Sequence, residues 1–489
     1  MDSIFLQRMR EEKMWFLIMS MVYGGLFTLC LYRNMSAITF PVITAVSLWF
    51  SVLFLKKAGI TLKKGTLRYF AGIFLLGIST VLTDNGFFHF FNNVGIILLF
   101  MMAMAHQLYE DSEWGFSDYV KKFFSMLWIW IISVGEIFHR SGKKEKVPTT
   151  KRKNTGPVLW GILAAVLMLI IVLPLLMMSD EIFSSFFSFL NPFHLFLEVD
   201  FSNIIGIIFT FLVGMAALYA FFAGLFKMNL GGKDERKPGK SNYVTGITFT
   251  GIMAAVYVLY SGIQILFLFL RLDSGLPEGV TYSQYAHQGF WQLLFVSLIN
   301  FVTVLICVKI FEDNKMLKIL LTVISVCTCI MILSAAYRMI LYVNEYNLSF
   351  LRVLVLWFLA VLMIIFCGVI YSIFSRDFRL FRYITAVVSV CYILFSFSHP
   401  DALIAGYNIQ NAHSAEDMDL YYMIYFLSDD AAGQIAKIDP GFIDDETLSE
   451  VESYFRNIEV ENEKMSLREW NYSRYEANKA AEEWMDKRE

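Results

Sequence analysis

The stretch SAAYRMILYVNEYNLSFLR, residues 334–352, joins two long apolar runs through a short polar turn. It holds Arg338, Glu345 and Arg352, whereas the runs on either side carry almost no charge. About 20 apolar residues are enough to cross a hydrocarbon core roughly 30 Å thick. Charged side chains are costly inside that core. The stretch therefore reads as the outer lip of a helical hairpin in a membrane.

The rest of the chain repeats this pattern. Of 489 residues, 57% are hydrophobic and only 17% charged, with 47 Phe and a mean hydropathy of +0.57. A soluble domain carries nearer 25% charged residues. Lipid cannot satisfy backbone N–H and C=O groups, so spans must be helices or a closed barrel. A barrel would show alternating strands of about ten residues, and runs this long and uniformly apolar are helices. The expected fold class is all-α: a polytopic membrane protein with about 11 transmembrane helices and a small C-terminal helical extracytoplasmic domain.

Expected spans are 14–32, 37–55, 69–82, 87–105, 158–178, 204–226, 243–270, 290–310, 316–341, 351–372 and 383–397. Residues 119–139 mix Trp128 and Trp130 with Lys121, Lys122 and Glu136, a pattern expected of an interfacial amphipathic helix, with a span as the alternative. Residues 180–200, rich in aromatics and flanked by acids, read as a surface or re-entrant segment. Arg8, Arg10 and Lys13 precede the first run with no small-x-small cleavage site, so that run reads as a retained span. The chain divides into an N-terminal membrane region (1–157, about four spans plus a basic segment), a membrane core (158–398, about seven spans) and an acidic helical domain (399–489).

Charge sets the orientation. With the N-terminus inside, the inner loops 56–68, 107–156, 227–242, 309–318 and 375–382 are rich in Lys and Arg, and the outer loops hold few, as the positive-inside rule requires. If 119–139 spanned, every later loop would invert, which favours the interfacial reading. Residues 399–489 then lie outside. They carry 21 Asp and Glu against 8 Lys and Arg. Pro400 suits a first helical position. Helices are expected over 417–427, 429–437 (capped by Ser428), 444–457 and 467–485, the last with a Ser466/Glu469 capping box. So small a domain is expected to lean on the membrane helices for stability.

Five pieces recur in order: TYSQYAHQGFWQLL (281–294), the 334–352 stretch, DALIAGYNI (401–409), MDLYYMIYFLS (418–428) and LREWNYSRYEANKAA (467–481). Together they resemble an uncharacterised family of polytopic bacterial membrane proteins defined only as a domain of unknown function. The family tends to have Arg after Tyr-Ala, where this chain has His287-Gln288, and Gly-Leu-Thr where it has Asn347-Leu348-Ser349. The resemblance covers residues 243 onward and implies a bacterial plasma membrane, without an activity.

All of these pieces fall on the outer side, which suggests one assembly with the acidic domain docked on the hairpin lips. Arg338, Tyr342 and Glu345 share one helix face by their spacing. With Arg352, two guanidinium groups and a Tyr hydroxyl can grip a phosphate or carboxylate. The alternative is that both arginines pair internally or snorkel to headgroups. Asp401, Tyr407 and Asn408 can complete such a site or simply dock a capped helix. Tyr282 and Tyr285, beside His287, form a further ligand-binding candidate.

No catalytic signature, cofactor motif or His pair at metal-ligand spacing is present. The segment Pro238-Gly239-Lys240-Ser241 lacks the first Gly of a P-loop, where Asp234 stands. The six Cys all lie in apolar runs and imply no zinc or disulfide framework. Basic inner loops read as topology determinants, not nucleic-acid sites. Almost no ionisable residue lies deep in the bundle, which weakens an ion-coupled transporter; Asn300 reads as an interhelical hydrogen-bonding group. The expected partners are the lipid bilayer and an anionic lipid or cell-envelope component. The favoured function is non-enzymatic sensing, scaffolding or ligand binding at the outer face. The alternatives are a transporter or flippase of an anionic amphiphile, or a membrane-embedded transferase.

Overall fold

The computed structural model describes residues 3–111, 114–138, 201–228, 241–266, 282–375, 377–414, 416–462 and 466–486. The helices, in chain order, are α1 (Ile4–Glu11), α2 (Lys13–Leu31), α3 (Thr39–Ala58), α4 (Thr66–Leu82), α5 (Gly86–Leu108), α6 (Phe116–Ile132), α7 (Phe201–Lys227), α8 (Tyr243–Gln264), α9 (Tyr282–Ile310), α10 (Lys315–Tyr346), α11 (Phe350–Phe374), α12 (Leu380–Ser396), α13 (Pro400–Asn411), α14 (Leu420–Phe426), α15 (Ala432–Ile435), α16 (Asp445–Asn462) and α17 (Tyr472–Asp486). Every named element among the described residues is a helix, so the all-α membrane class holds.

Eight of these helices, α2, α3, α5 and α7 to α11, are long and apolar enough to cross a membrane. A ninth span results if α12 and α13, bent by 57° at their junction, are taken as one. The expected span at 69–82 differs in that α4 is apolar but only 17 residues long; the expected span 158–178 and the segment 180–200 lie outside the described residues. Helix α6 is not among the long apolar helices, and a 3-10 turn, Ser133–Phe138, follows it. Helices α9 and α10 run past the expected spans, to Tyr282 and Tyr346, because a helix's internal hydrogen bonding does not end where the apolar run does.

The chain forms two compact units. In the first (1–35, 42–62 and 124–230), α2 packs along α7. Small residues let the two backbones approach closely. A Cβ at Gly24 would lie 2.8 Å from the Phe211 carbonyl oxygen, and one at Gly214 would lie 2.8 Å from the Phe27 ring. Phe16, Phe54 and Phe222 fill the interior with ring centroids 5.1 Å apart. Arg10 pairs with Glu136 at 3.1 Å, and Lys227 reaches the same carboxylate at 3.5 Å.

In the second unit (36–41, 63–123 and 231–489), α8 to α12 enclose two apolar cores. One is built on Val304, Leu321, Ile365 and Val369, the other on Phe290, Met331, Leu359 and Phe366. Asn314 caps α10, accepting from the Met316 N–H at 2.8 Å. Asn347, at φ +65°, ends it. Asn300 donates to Thr328 at 2.9 Å, the expected interhelical hydrogen bond. Asn92 ties α5 to α4 and α12 through Thr80 and the Tyr392 hydroxyl, both at 3.0 Å.

The polar segment has its own core, in which Met423, Ile435, Val451, Phe455 and Ala481 are buried and Trp484 packs on Phe455 at 5.3 Å. Its helices depart from the expected boundaries. Helix α17 begins at Tyr472, capped by Asn471 through the Ser473 N–H, while Ser466 and Glu469 bond each other in a separate turn. A 3-10 turn, Asp429–Ala431, replaces the start of the third helix, because Ser428 directs its hydroxyl to Asp401 rather than to a cap.

The approach of α2 to α7 sets a test. Gly24→Leu is expected to cost about 3 kcal/mol by overpacking. Gly25→Leu, where an added Cβ meets nothing within 4 Å, is expected to be near neutral. Thermal unfolding of the two variants in the same micelle distinguishes them.

Candidate functional site

Four stretches far apart in sequence converge in the second unit. They are the turn 83–85 between α4 and α5, the junction at His399 between α12 and α13, the loop 428–430, and the start of α17. Each is polar because a helix must end there. Thr83 follows the last turn of α4, and Asn85 caps α5 by accepting from the Phe87 N–H at 2.8 Å. His399 adopts left-handed backbone (φ +46°), which turns the chain into Pro400 at the first position of α13. A left-handed residue other than Gly is disfavoured and persists only where its surroundings hold it.

Asp430 is the hub. Its side chain is fully buried. It accepts from the Thr83 hydroxyl at 2.7 Å, from the Asp84 N–H at 3.0 Å and from the Ser473 hydroxyl, and it meets the His399 ring at 3.3 Å. Arg474 donates to Asp84 at 2.9 Å. Asn471 donates to the carbonyls of Ser36 at 2.7 Å and Thr83 at 3.1 Å. Asp401, 1% exposed, takes Asn85 at 2.7 Å and the Ser428 hydroxyl at 2.6 Å on one oxygen.

Burial raises the Asp430 carboxyl, but its hydrogen bonds from His399, Ser473, Thr83 and Asp84 outweigh that and hold it below the usual range. The bond to Asp430 raises His399. Burial raises Asp84 despite Arg474 beside it. Asp429, half-buried, is pushed up to about 7, first by burial and then by repulsion from Asp84. Glu461 and Asp430 add to this and Arg474 opposes it. The arrangement is a titratable seam between the polar segment and the ends of long apolar helices. Among the described residues no three His, Cys, Asp or Glu side chains are grouped to hold a metal ion.

The residues expected to form a ligand grip are not gathered into one. Arg338 is buried on α10 and donates to Gln264 on α8 at 3.3 Å, where Ser334 also donates at 2.6 Å. Arg352 instead bonds the carbonyls of Tyr346 and Asn347 and lies 4.3 Å over the Tyr342 ring. It thus covers the C-terminal carbonyls of α10, where a cation is favoured. Glu345 is exposed. Tyr407 is half-buried and accepts from Asn411 through its carbonyl. Tyr282 and Tyr285 lie on α9, and their side chains are outside the described residues, as is that of His287.

Asn408 grips the lip itself, accepting from the Leu348 N–H at 2.9 Å and donating to its carbonyl at 3.0 Å. The Tyr422 hydroxyl accepts from the Phe350 N–H at 2.9 Å. Asn408 and Tyr422 thus bond the acidic segment to the hairpin lip. Sequence reasoning named Asp401 and Asn408 but passed over Thr83, Asp84, Asn85, Asp430, Asn471 and Arg474. The signal available was a polar triplet between two apolar runs and the adjacent acids of Ser428-Asp429-Asp430.

Asp430→Ala would leave Thr83, Ser473 and the Asp84 N–H without their acceptor. It is expected to cost about 3 kcal/mol and to expose residues 399–486 to limited proteolysis. The pH dependence has a definite sign. Between about pH 4 and about 7 the folded protein keeps a proton on Asp429 that the unfolded chain has lost, so stability falls as pH rises. His399, also raised, contributes the same sign above its unfolded value. Asp430 has the opposite sign and loses its contribution only as pH falls through its lowered folded value. Asp429→Asn is expected to raise stability at pH 8 by about 2 kcal/mol and to change little at pH 4, as read by melting at the two values.

No characterised protein and no solved structure matches the chain. Residues 70–438, well over half of the chain, match the model of a family described as a domain of unknown function, DUF4153. That match takes in the turn 83–85, the hairpin lip, Asp401 and Asp430, and by it the chain belongs to the DUF4153 family.

Proposed function

We propose that this chain is a non-enzymatic sensing or scaffolding protein of the bacterial plasma membrane. In this reading the N-terminus is cytoplasmic, and the domain from residue 399 is extracytoplasmic and forms the working face. The Lys- and Arg-rich loops expected inside support that orientation. The observation that carries the functional reading is the use made of Asp430. A fully buried carboxylate joins the 83–85 turn, His399 and the start of α17, so the polar domain is fastened where a conformational signal would pass into the membrane helices.

The same geometry weighs against an open anion grip. Arg352 is engaged with helix-end carbonyls and a Tyr ring, and Arg338 with Gln264. A flippase or a transferase of an anionic amphiphile would need such groups to face a ligand.

The test is thermal unfolding of wild type, Arg338→Ala and Arg352→Ala, each scanned against anionic lipids and cell-wall precursors. The expected outcome is that both variants melt earlier than wild type and no ligand shifts the wild type through these residues. If a ligand raises the wild-type melting temperature and not the variants', while unliganded melting is unchanged, the arginines form a ligand site. The transport or transfer reading would then replace this one.

A further inference from the structure

We infer that the polar domain rests on the protein's own bilayer through two aromatic patches that insert at the headgroup–hydrocarbon boundary. The first patch is on α14. Tyr421, Tyr425 and Phe426 are 62%, 59% and 66% exposed, an unusual concentration of bared aromatic surface on a seven-residue helix. Their rings are in mutual contact, with Tyr421 4.8 Å from Tyr425 and 6.0 Å from Phe426. Phe426 stacks on Tyr422 at 5.7 Å.

Tyr422 fixes the depth of this patch. Its hydroxyl accepts from the N–H of Phe350, the first residue of α11. Helix α11 is one of the long apolar helices, and its second residue, Leu351, is 58% exposed. The bared aromatics are therefore continuous with the surface that α11 presents to lipid.

The second patch repeats the arrangement. Leu467 is 90% exposed and Tyr475 49%, and Trp470 lies 6.3 Å from Tyr475. The Trp470 carbonyl accepts from the Ile38 N–H at 2.8 Å, one residue before α3, another of the long apolar helices. The first patch is thus tethered to the first residue of α11 and the second to Ile38, just before α3, at the ends of long apolar helices, the level where Tyr and Trp are favoured because one end of the ring is apolar and the other polar. Contiguous bared apolar surface of this kind marks an interaction site. Its depth and its residue types select lipid as the occupant. The exposed side chains of the α14 patch, Tyr421, Tyr425 and Phe426, are themselves uncharged, so the inferred attachment is hydrophobic and is expected without anionic lipid.

The experiment uses the full chain in nanodiscs of zwitterionic phosphatidylcholine. A fluorescent amino acid is placed singly at Tyr425, Leu467 or Glu450, the last an exposed residue of acidic α16. All three side chains are exposed, and only variants that melt like wild type are used. Lipid brominated close to the headgroup is expected to quench positions 425 and 467 roughly two-fold, with little quenching by aqueous iodide, and position 450 is expected to behave in the reverse way. If 425 and 467 respond like 450, the patches do not touch lipid and the inference falls. If they are shielded from both quenchers, a protein partner or a second copy covers them and the inference also falls.

Discussion

A carboxylate sealed from water must collect its hydrogen bonds from the protein or become neutral. Asp430 collects donors from a turn near residue 84, from the α12–α13 junction and from the start of α17. Each of those stretches is a helix end, where backbone groups already lack partners within the helix. The burial of one charge and the closing of three helix ends thus become a single requirement. Secondary features follow from it. His399 combines a left-handed backbone with a ring held against Asp430. Asp84 gives its N–H to Asp430 and its carboxylate to Arg474. Asp429, next in sequence but outside the hydrogen bonds, is left with a proton near neutral pH.

The membrane bundle solves a different problem by simpler means. Its polar side chains pair across helices, as Asn300 does with Thr328 and Ser334 with Gln264. Small residues such as Gly24 and Gly214 set the distance of α2 from α7. Such contacts rigidify without introducing charge, which lipid penalises. Arg338 departs from this pattern as a buried cation, and it too reaches a neighbouring helix through the Gln264 amide.

The fold class was legible because apolar run length is a local property, and hydrocarbon thickness translates it directly into helices. The run at 290–310 and the polar turn between α10 and α11 needed nothing beyond neighbouring residues. The details that differed are those decided at a distance. Ser428 looked like a cap and instead serves Asp401, and Ser466 and Glu469 formed their turn without starting α17. The candidate site was legible only in part for the same reason. Asp401 and Asn408 stood out within a motif, but Thr83, Asp430 and Arg474 are ordinary polar residues in ordinary turns. Only the tertiary fold puts Thr83 beside a carboxylate 347 positions later. The arginines were noticed for their charge in apolar surroundings, and packing gave them structural partners.

The spread of the seam along the chain has a consequence for biogenesis. Thr83 and Asn85 leave the ribosome with the early spans, whereas Asp401, Asp430 and Ser473 follow all of the membrane helices described here. Until those later residues arrive, the turn between α4 and α5 keeps its polar groups solvated, and the ends of the two helices stay unlatched. Closure of the turn by its Asp401 and Asp430 partners therefore has to follow synthesis of these late residues.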